Sequence, residues 1–514
     1  MKNNKRLPVG IQTFSTIIEE DYLYIDKTAI ALDLIENYHY VFLSRPRRFG
    51  KSLFLSTLEE IFKGNKKLFK GLAIADQWDF KNTYPVIIID FAGDFRNPKS
   101  LVNNLMHSLE RNQEKLGVPC KETQQFDNCF SDLIIHTYEK YQQKVVVLID
   151  EYDKAIVDNL DQIEVAKENR EILHAFYSIL KSLDRYIEFV FITGVSKFSR
   201  ASIFSGLNML EDISLNPRFG NICGYTQNDI ETTFKPYLEG VDLKRVKQWY
   251  NGYNFLKDKV YNPFDILLFI KNDYLFKNYW FNTGTPTFLI KLFKQGNYNL
   301  ATFENLEVPE KFLENFDLDE IGLETIMFQS GYLTIKSIEQ QRNRLKYTLT
   351  YPNLETKMSL NDYLIGYFVK SSHLINKVED KLIESMENND FEKLRQSIES
   401  LFASIAYNNF TKNDIQNYEG FYASVIYAYF AGAGFDKIIA EDATNKGRID
   451  LSVFIDDKVF IFEFKVDSKG ALKQIKKNNY QQKYLADYHE IYLIGVEFDS
   501  TQRNVMGFEW ERVC

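Results

Sequence analysis

The chain has 514 residues, more than one ordinary hydrophobic core holds, so two to four domains are expected. With 45% hydrophobic and 15% aromatic residues it is not a disordered polypeptide, and a formal net charge of −9 excludes a surface coated in cations to hold polyanions non-specifically. Cys120, Cys129, Cys223 and Cys514 form no C-x-x-C pair and the histidines do not cluster with them, so neither a disulfide framework nor a zinc site is expected. The opening residues lack an apolar signal core and no run of about 18 apolar residues occurs, so a cytoplasmic protein without a membrane span is expected.

From Leu7 to Asp26 the chain reads as a lead-in, with Phe14, Ile17 and Ile18 on one apolar face and a short strand at Tyr22-Leu23-Tyr24-Ile25-Asp26. It serves either as part of a base pocket or as plain edge structure. Tyr40-Val41-Phe42-Leu43 predicts a buried strand, and Leu53, Phe54, Leu58, Ile61 and Phe62 recur at helical spacing. Between them lies SRPRRFGKSL, Ser44 to Leu53, in the strand, loop, helix context that a phosphate-binding loop needs. Gly50 lets the backbone approach a phosphate, Lys51 reaches its outer oxygens, and Ser52 offers a hydroxyl to Mg²⁺ at the positive end of the helix. The general signature wants glycine where this chain has Arg45, which leaves open a basic turn that merely caps a helix.

Tyr84 to Asp90 predicts a second strand, and a polar helix follows around Leu101 to Arg111. Val145-Val146-Val147-Leu148-Ile149 then reads as a strand covered on both faces, with Asp150 and Glu151 at its C-terminal end, where ligands bind in open α/β sheets. In that place Asp150 would hold Mg²⁺ and Glu151 would polarise a water attacking the γ-phosphorus. A fourth strand, Phe189 to Gly194, carries Thr193, and either Thr193 or Ser196 suits a γ-phosphate sensor or a helix cap. Arg200 and Arg218 fall on loops beyond it, and nothing chooses between them as a trans-acting arginine.

From Thr226 the pattern turns helical, with a capping signal at Thr226-Gln227-Asn228-Asp229 and a stripe of Ile230, Phe234, Tyr237 and Leu238. The aromatic runs Trp249 to Phe255 and Tyr279 to Pro286 have no interleaved Lys or Arg, which favours the core of a helical lid over base stacking. Between Asp317 and Val369 the order helix, strand, turn, strand, helix is compatible with a winged helix, with Arg342, Arg344 and Lys346 at the turn; a DNA contact and a structural wing are both open. Glu379 to Arg395 reads as a solvated helical connector.

The C-terminal stretch opens with a helix, Glu419 to Phe430, followed by Glu441, Gly447-Arg448-Ile449-Asp450 and Phe462-Glu463-Phe464-Lys465. Strand alternation puts Glu463 and Lys465 on one face. Asp450 and Glu463 would bind Mg²⁺ or Mn²⁺, and Lys465 would position the attacking water beside a scissile phosphate; the plain alternative is a cross-strand ion pair. Gln474, on the lysine-rich helix that follows, is within reach of such a site.

Taken together, RPRRFGKSL, VVVLIDEYDK, ITGVSKFSRASIFSGLN, WYNGYNF, VYNPF, YWFNTGTP, GRIDLSV and FEFKV resemble the bacterial AAA-ATPase-like proteins with a C-terminal PD-(D/E)XK nuclease-like domain. In that family an arginine-rich loop replaces the glycine-rich one. The resemblance implies an α/β fold: a P-loop ATPase sheet with a helical lid and a winged-helix-like segment, then a restriction-endonuclease-like α/β domain. Carried onto this chain, it implies Lys51 and Ser52 for phosphate and Mg²⁺ and Asp150 and Glu151 for the acidic pair; with the residues read above, the expected ATP site is Arg45, Arg47, Arg48, Gly50, Lys51, Ser52, Asp150 and Thr193, with Ser52 and Asp150 on its Mg²⁺ and Glu151 catalytic. Asp450, Glu463 and Lys465 form the nuclease core, with Ile449 in place of the proline of "PD". The expected domains are 1–223 (ATPase), 224–316 (lid), 317–377 (winged-helix-like), 378–412 (connector) and 413–514 (nuclease-like). The expected activity is an ATP-driven switch with a metal-dependent nuclease acting on nucleic acid, DNA before RNA, with homo-oligomers left open. The alternative is a nucleotide-regulated binding module whose nuclease-like domain is silent.

Overall fold

The computed structural model describes residues 4–119, 125–198, 203–204, 207–281, 289, 299–314, 318, 322–369, 372–405, 419–435 and 437–513. It divides into two compact units, Met1–Thr283 with Val308–Tyr347, and Gly284–Glu307 with Thr348–Cys514.

The first unit is built on a parallel sheet of β1 (Tyr40–Ser44), β2 (Val86–Asp90), β3 (Val145–Asp150), β4 (Ile187–Gly194) and β5 (Glu211–Asp212) in the order β2-β3-β4-β1-β5. Strand β3 is an unbroken apolar run because both its faces are covered, and Val145 to Ile149 have no exposed surface. Insertion of β4 between β1 and β3 sets Leu43 beside Thr193 and Ile149 beside Ile192, so the strand that leads into the basic loop and the strand that ends in acids flank β4. Helices Lys51–Phe62, Pro98–Leu116, Phe126–Tyr141 and Ile163–Ser182 belong to the same unit, and the polar stretch Leu101 to Arg111 lies within the second of them. That helix starts at Asn97, whose side chain accepts from Ser100 N at 2.9 Å.

Beyond β5 the chain forms helices and a small antiparallel sheet, β6 (Tyr225–Thr226), β7 (Asn251–Tyr253) and β8 (Val260–Tyr261), ordered β6-β8-β7. The expected cap is a full capping box, Thr226 and Asp229 each bonding the other's backbone N–H. The strand expected at Tyr22–Asp26 is reduced to one bridge, Arg6 to Tyr22. Its apolar residues, Leu23 and Ile25, pack instead against the cluster of Ile230, Phe234, Tyr250 and Phe269. Cys129 is disulfide-bonded, a correction that the scattered cysteine spacing does not suggest. Strands β9 (Leu306–Pro309), β10 (Thr334–Gln341) and β11 (Arg344–Thr350) fall where the chain passes between the units; the helix Leu323–Ser330 precedes β10 and the helix Leu354–Val369 follows β11.

The second unit carries a sheet in sequential order, β12 (Lys437–Thr444), β13 (Gly447–Ile455), β14 (Lys458–Val466), β15 (Glu490–Asp499) and β16 (Asn504–Arg512). All neighbours are antiparallel except β14 and β15, whose crossover contains the helix Ala471–Asn478. The expected solvated connector is corrected here. Helix Phe391–Ser404 buries Leu394, Ile398, Leu401 and Phe402, and Phe391 stacks on Trp510 at 4.1 Å between centroids. Each such side chain contributes about 1.5–3 kcal/mol of burial, so the helix is part of the core. Among the described residues no helix is long and apolar enough to cross a membrane.

Candidate functional site

The first site lies at the C-terminal ends of β1 and β3. Gly50 caps the helix Lys51–Phe62 with φ of 94°, a left-handed turn that aims the following N–H groups at the space above the loop. That space is a cleft of about 570 Å³ walled by Arg47, Arg48, Lys51, Ser52, Glu151 and Asp153. Its size falls within the roughly 300–1,000 Å³ of ligand pockets. Pro8, Gly10, Ile11 and Gln12 also line it, so the lead-in is a wall of the site, together with Tyr225, Phe264 and Leu267. A narrower apolar recess lined by Tyr24, Phe49, Ile222 and Cys223 adjoins it through Gly50 and Leu53.

Lys51 is 7% exposed, and its ammonium donates to the carbonyls of Arg45 (3.0 Å) and Pro46 (3.1 Å). Burial pushes its pKa down, and the neighbouring Asp150, Asp153 and Glu151 carboxylates push it back up. Asp150 accepts from the N–H of Glu151 at 3.0 Å and lies in register beside Asp90 on β2. Burial raises the pKa of Glu151, and repulsion from Asp150 adds to it; the same two causes raise Asp90. The hydroxyl of Ser52 and the carboxylate of Asp150 are hard oxygen donors of the kind Mg²⁺ takes, and the anchoring of Lys51 on exchangeable carbonyls fits a cleft that accepts phosphate.

Two expected contacts are placed elsewhere. Arg45 is 1% exposed; its guanidinium donates to the carbonyls of Ser44 (2.8 Å), Ser214 (2.7 Å) and Phe219 (3.1 Å) and lies 3.9 Å over the ring of Phe255. It shapes the loop from behind and does not line the cleft. Thr193 is fully buried beside Leu43, and its hydroxyl has no partner among the described residues. Arg48 faces the cleft with its guanidinium 5.0 Å from the ring of Phe264, and Arg47 pairs with Asp158 at 3.5 Å. Arg218 is bound to Asp33, and Arg200 lies outside the described residues.

Sequence reasoning missed three residues here. Asp153, fully buried, accepts from the N–H groups of Val195 (3.1 Å) and Ser196 (2.5 Å), which ties the end of β3 to the end of β4. Its signal was the third acid in IDEYD. Asn262 and Trp280 donate to the carbonyl of Arg47 at 3.4 and 3.2 Å, so the VYNPF and YWF runs brace the basic loop.

The second site lies on β13 and β14. Leu451 pairs with Phe462, which brings the preceding Asp450 and the following Glu463 to adjacent ends of the ladder, and Asp450 accepts from the N–H of Phe464 at 2.7 Å. Phe462 and Phe464 are buried in the core, as alternation predicts. The Gln474 amide donates to one oxygen of Glu463, while the other oxygen is buried without a partner among the described residues. Burial raises the pKa of Asp450, with Glu419 and Glu441 adding repulsion; burial and then Asp450 raise that of Glu463, while Lys465 opposes both. Lys465 lies in register with Glu497 on β15, and Glu497 accepts from the N–H of Gly470 at the start of the helix carrying Gln474. Glu419 was missed as a member of this group. Its signal is an exposed acid at the head of a helix whose residues Val425 to Ala431 are all buried.

Among the described residues no group of three or more His, Cys, Asp and Glu converges as a ready metal cage. The pair of Asp450 and Glu463, with one carboxylate oxygen left bare, fits a divalent ion that takes one or two carboxylates and completes its shell with water and phosphate oxygens.

The two sites define an AAA-ATPase-like module and a PD-(D/E)XK-type nuclease-like domain on one chain. Residues 8–204 match the family model described as "Predicted AAA-ATPase", and residues 417–508 match the PD-(D/E)XK nuclease superfamily. Along 513 residues the chain is 43% identical to a protein of Azotobacter chroococcum mcd 1 described as "Uncharacterized protein in vnfD 5'region", covering 98% of this chain and 99% of that one. The chain belongs to this family of AAA-ATPase-like proteins with a C-terminal PD-(D/E)XK nuclease-superfamily domain.

Proposed function

We propose that the protein is an ATP-binding and ATP-hydrolysing switch coupled to a divalent-metal-dependent nuclease that acts on DNA. The observation that carries the nuclease half is the Glu463 carboxylate, held on one side by Gln474 and bare on the other among the described residues, beside Asp450 and two positions before Lys465 on the same strand. A metal bound there supplies a polarised water and charge stabilisation at the scissile phosphate. Asp450 and Glu463 would hold it, Gln474 would orient Glu463, and Lys465 would position the water and offset phosphate charge. In the cleft, Lys51, Arg47 and Arg48 would bind the β- and γ-phosphates, Ser52 and Asp150 would hold Mg²⁺, and Glu151 would take the proton from the attacking water. Its raised pKa favours that role. Functionally the chain would divide at the boundaries 1–223, 224–316, 317–377 and 378–514, the helix Phe391–Ser404 counting with the nuclease-like domain whose core it joins.

Supercoiled plasmid incubated with the protein, ATP and Mg²⁺ or Mn²⁺ should be cut. A folded Glu463→Ala variant that cuts as fast as the parent would overturn the nuclease assignment. A second reading has its own support, because among the described residues no group of three acids converges as a metal cage. In that reading the domain holds nucleic acid without cutting it, and the assay would show ATP-dependent retention of DNA with no cleavage at any metal concentration.

A further inference from the structure

The hairpin of β10 and β11 takes no part in either site, and its composition is unlike the core around it. Thr334 and Ile335 are buried, but every residue from Lys336 to Arg344 is exposed, and Ile338 is 40% exposed. Lys336, Arg342, Arg344 and Lys346 stand against one acid, Glu339. Among the described residues neither Arg342 nor Arg344 has an ion-pair partner, and Arg342 takes up the two-residue turn with φ of 55°. β11 also pairs with β9 and buries Tyr347 and Leu349, but the tip from Lys336 to Arg344 is exposed throughout and adds no core, and its six exposed β10 residues reach about 20 Å from their root.

The root, by contrast, is held firmly. The backbone N–H of Asn254 donates to Thr334 Oγ1 at 2.8 Å and its side chain donates to the carbonyl of Ile335 at 3.0 Å. On either side of Asn254, Tyr253 meets the ring of Phe49 at 4.8 Å and Phe255 carries Arg45. Gly331, just before β10, lies so close to Pro46 that an added Cβ would be 2.8 Å from its ring. A basic, solvated tip on an anchored root is the geometry of a ribbon that inserts beside a polyanion. The major groove of duplex DNA, about 12 Å wide, admits one such ribbon, with phosphates flanking it.

We propose that the β10–β11 hairpin grips the phosphate backbone of duplex DNA, with Arg342 and Arg344 as its principal contacts. The proposal rests on the reading that the protein acts on DNA. The test is the affinity of the full chain for a labelled duplex of about 30 base pairs, roughly three turns, followed by fluorescence anisotropy across a salt series in EDTA. The R342E/R344E variant should bind about tenfold more weakly or worse, with the slope of log affinity against log salt flattened by about 2. R342K/R344K should keep both affinity and slope, and unchanged nucleotide binding reports that each variant is folded. Unaltered affinity in the glutamate variant, equal loss in the lysine variant, or tighter binding to duplex RNA of the same length overturns the grip. Those outcomes leave the cleavage assay with Glu463→Ala standing by itself. A parent protein that binds no duplex overturns both the grip and the DNA reading.

Discussion

The indole N–H of Trp280 donates to the carbonyl oxygen of Arg47 across 3.2 Å, although 233 positions separate them in the chain. Arg47 sits in the basic loop, so the loop that faces the cleft is held from outside its own strand and helix. Replacing Trp280 with Phe keeps much of the ring and removes the donor. The lost bond is worth about 0.5–1.5 kcal/mol net, so ATP affinity measured by calorimetry should fall roughly two- to tenfold. Equal affinity in the two proteins would show that the loop needs no such brace.

Asp153 is the buried acceptor for two backbone N–H groups at the end of β4. Asparagine in its place turns one acceptor into a donor facing donors. The expected cost is about 1–3 kcal/mol, read as a lower melting temperature without nucleotide. A melt that does not move would mean that the two N–H groups find other partners.

Gln474 orients Glu463 through its amide. Orienting partners of this kind typically change metal affinity by about 10- to 100-fold. Gln474→Leu should therefore shift the Mn²⁺ concentration needed for half-maximal cleavage upward by that range while leaving the rate at saturating metal closer to the parent. A lower saturating rate with unchanged metal requirement would place Gln474 elsewhere in the reaction.

Asp450 and Glu463 both have their pKa raised, first by burial and then by neighbouring acids. The folded protein holds protons there that the unfolded chain releases, so stability falls as pH rises from the ordinary carboxylate range, about 4, through the raised values. Thermal melts of the full chain without metal should show this decline, and Glu463→Gln should flatten it and melt higher than the parent near neutrality. Adding Mn²⁺ should recover stability in the parent more than in the variant. An identical pH dependence in both proteins would remove the carboxylate pair as its cause.

The strands that carry chemistry were legible because their chemistry needs burial on both faces. Val145 to Ile149 and Val459 to Phe462 are continuous apolar runs ending in acids, and both are fully covered strands. The adjacency of Asp450, Glu463 and Gln474 followed from strand alternation and a short crossover. Arg45 was not legible. In a basic loop an arginine reads as an anion contact, and only carbonyls 169 and 174 positions away turn it inward. The helix Phe391–Ser404 was hidden by its charged outer face, which outweighs Leu394, Ile398 and Leu401 in composition although their spacing marks one buried stripe. Asn262 and Trp280 were read as lid residues because nothing local points from them to the loop they brace.

The placement of β4 between β1 and β3 also bears on how the chain is made. Tyr40 has Val190 as its partner, and the other neighbour of β1 is β5, later still. At a synthesis rate of about 5–20 residues per second, β1 leaves the ribosome roughly 7–30 s before its partner strand does. Its apolar Val41 and Leu43 must be shielded over that interval by the nascent chain itself or by a chaperone. Fragments ending before β4 should accordingly be insoluble even though they contain the whole phosphate loop.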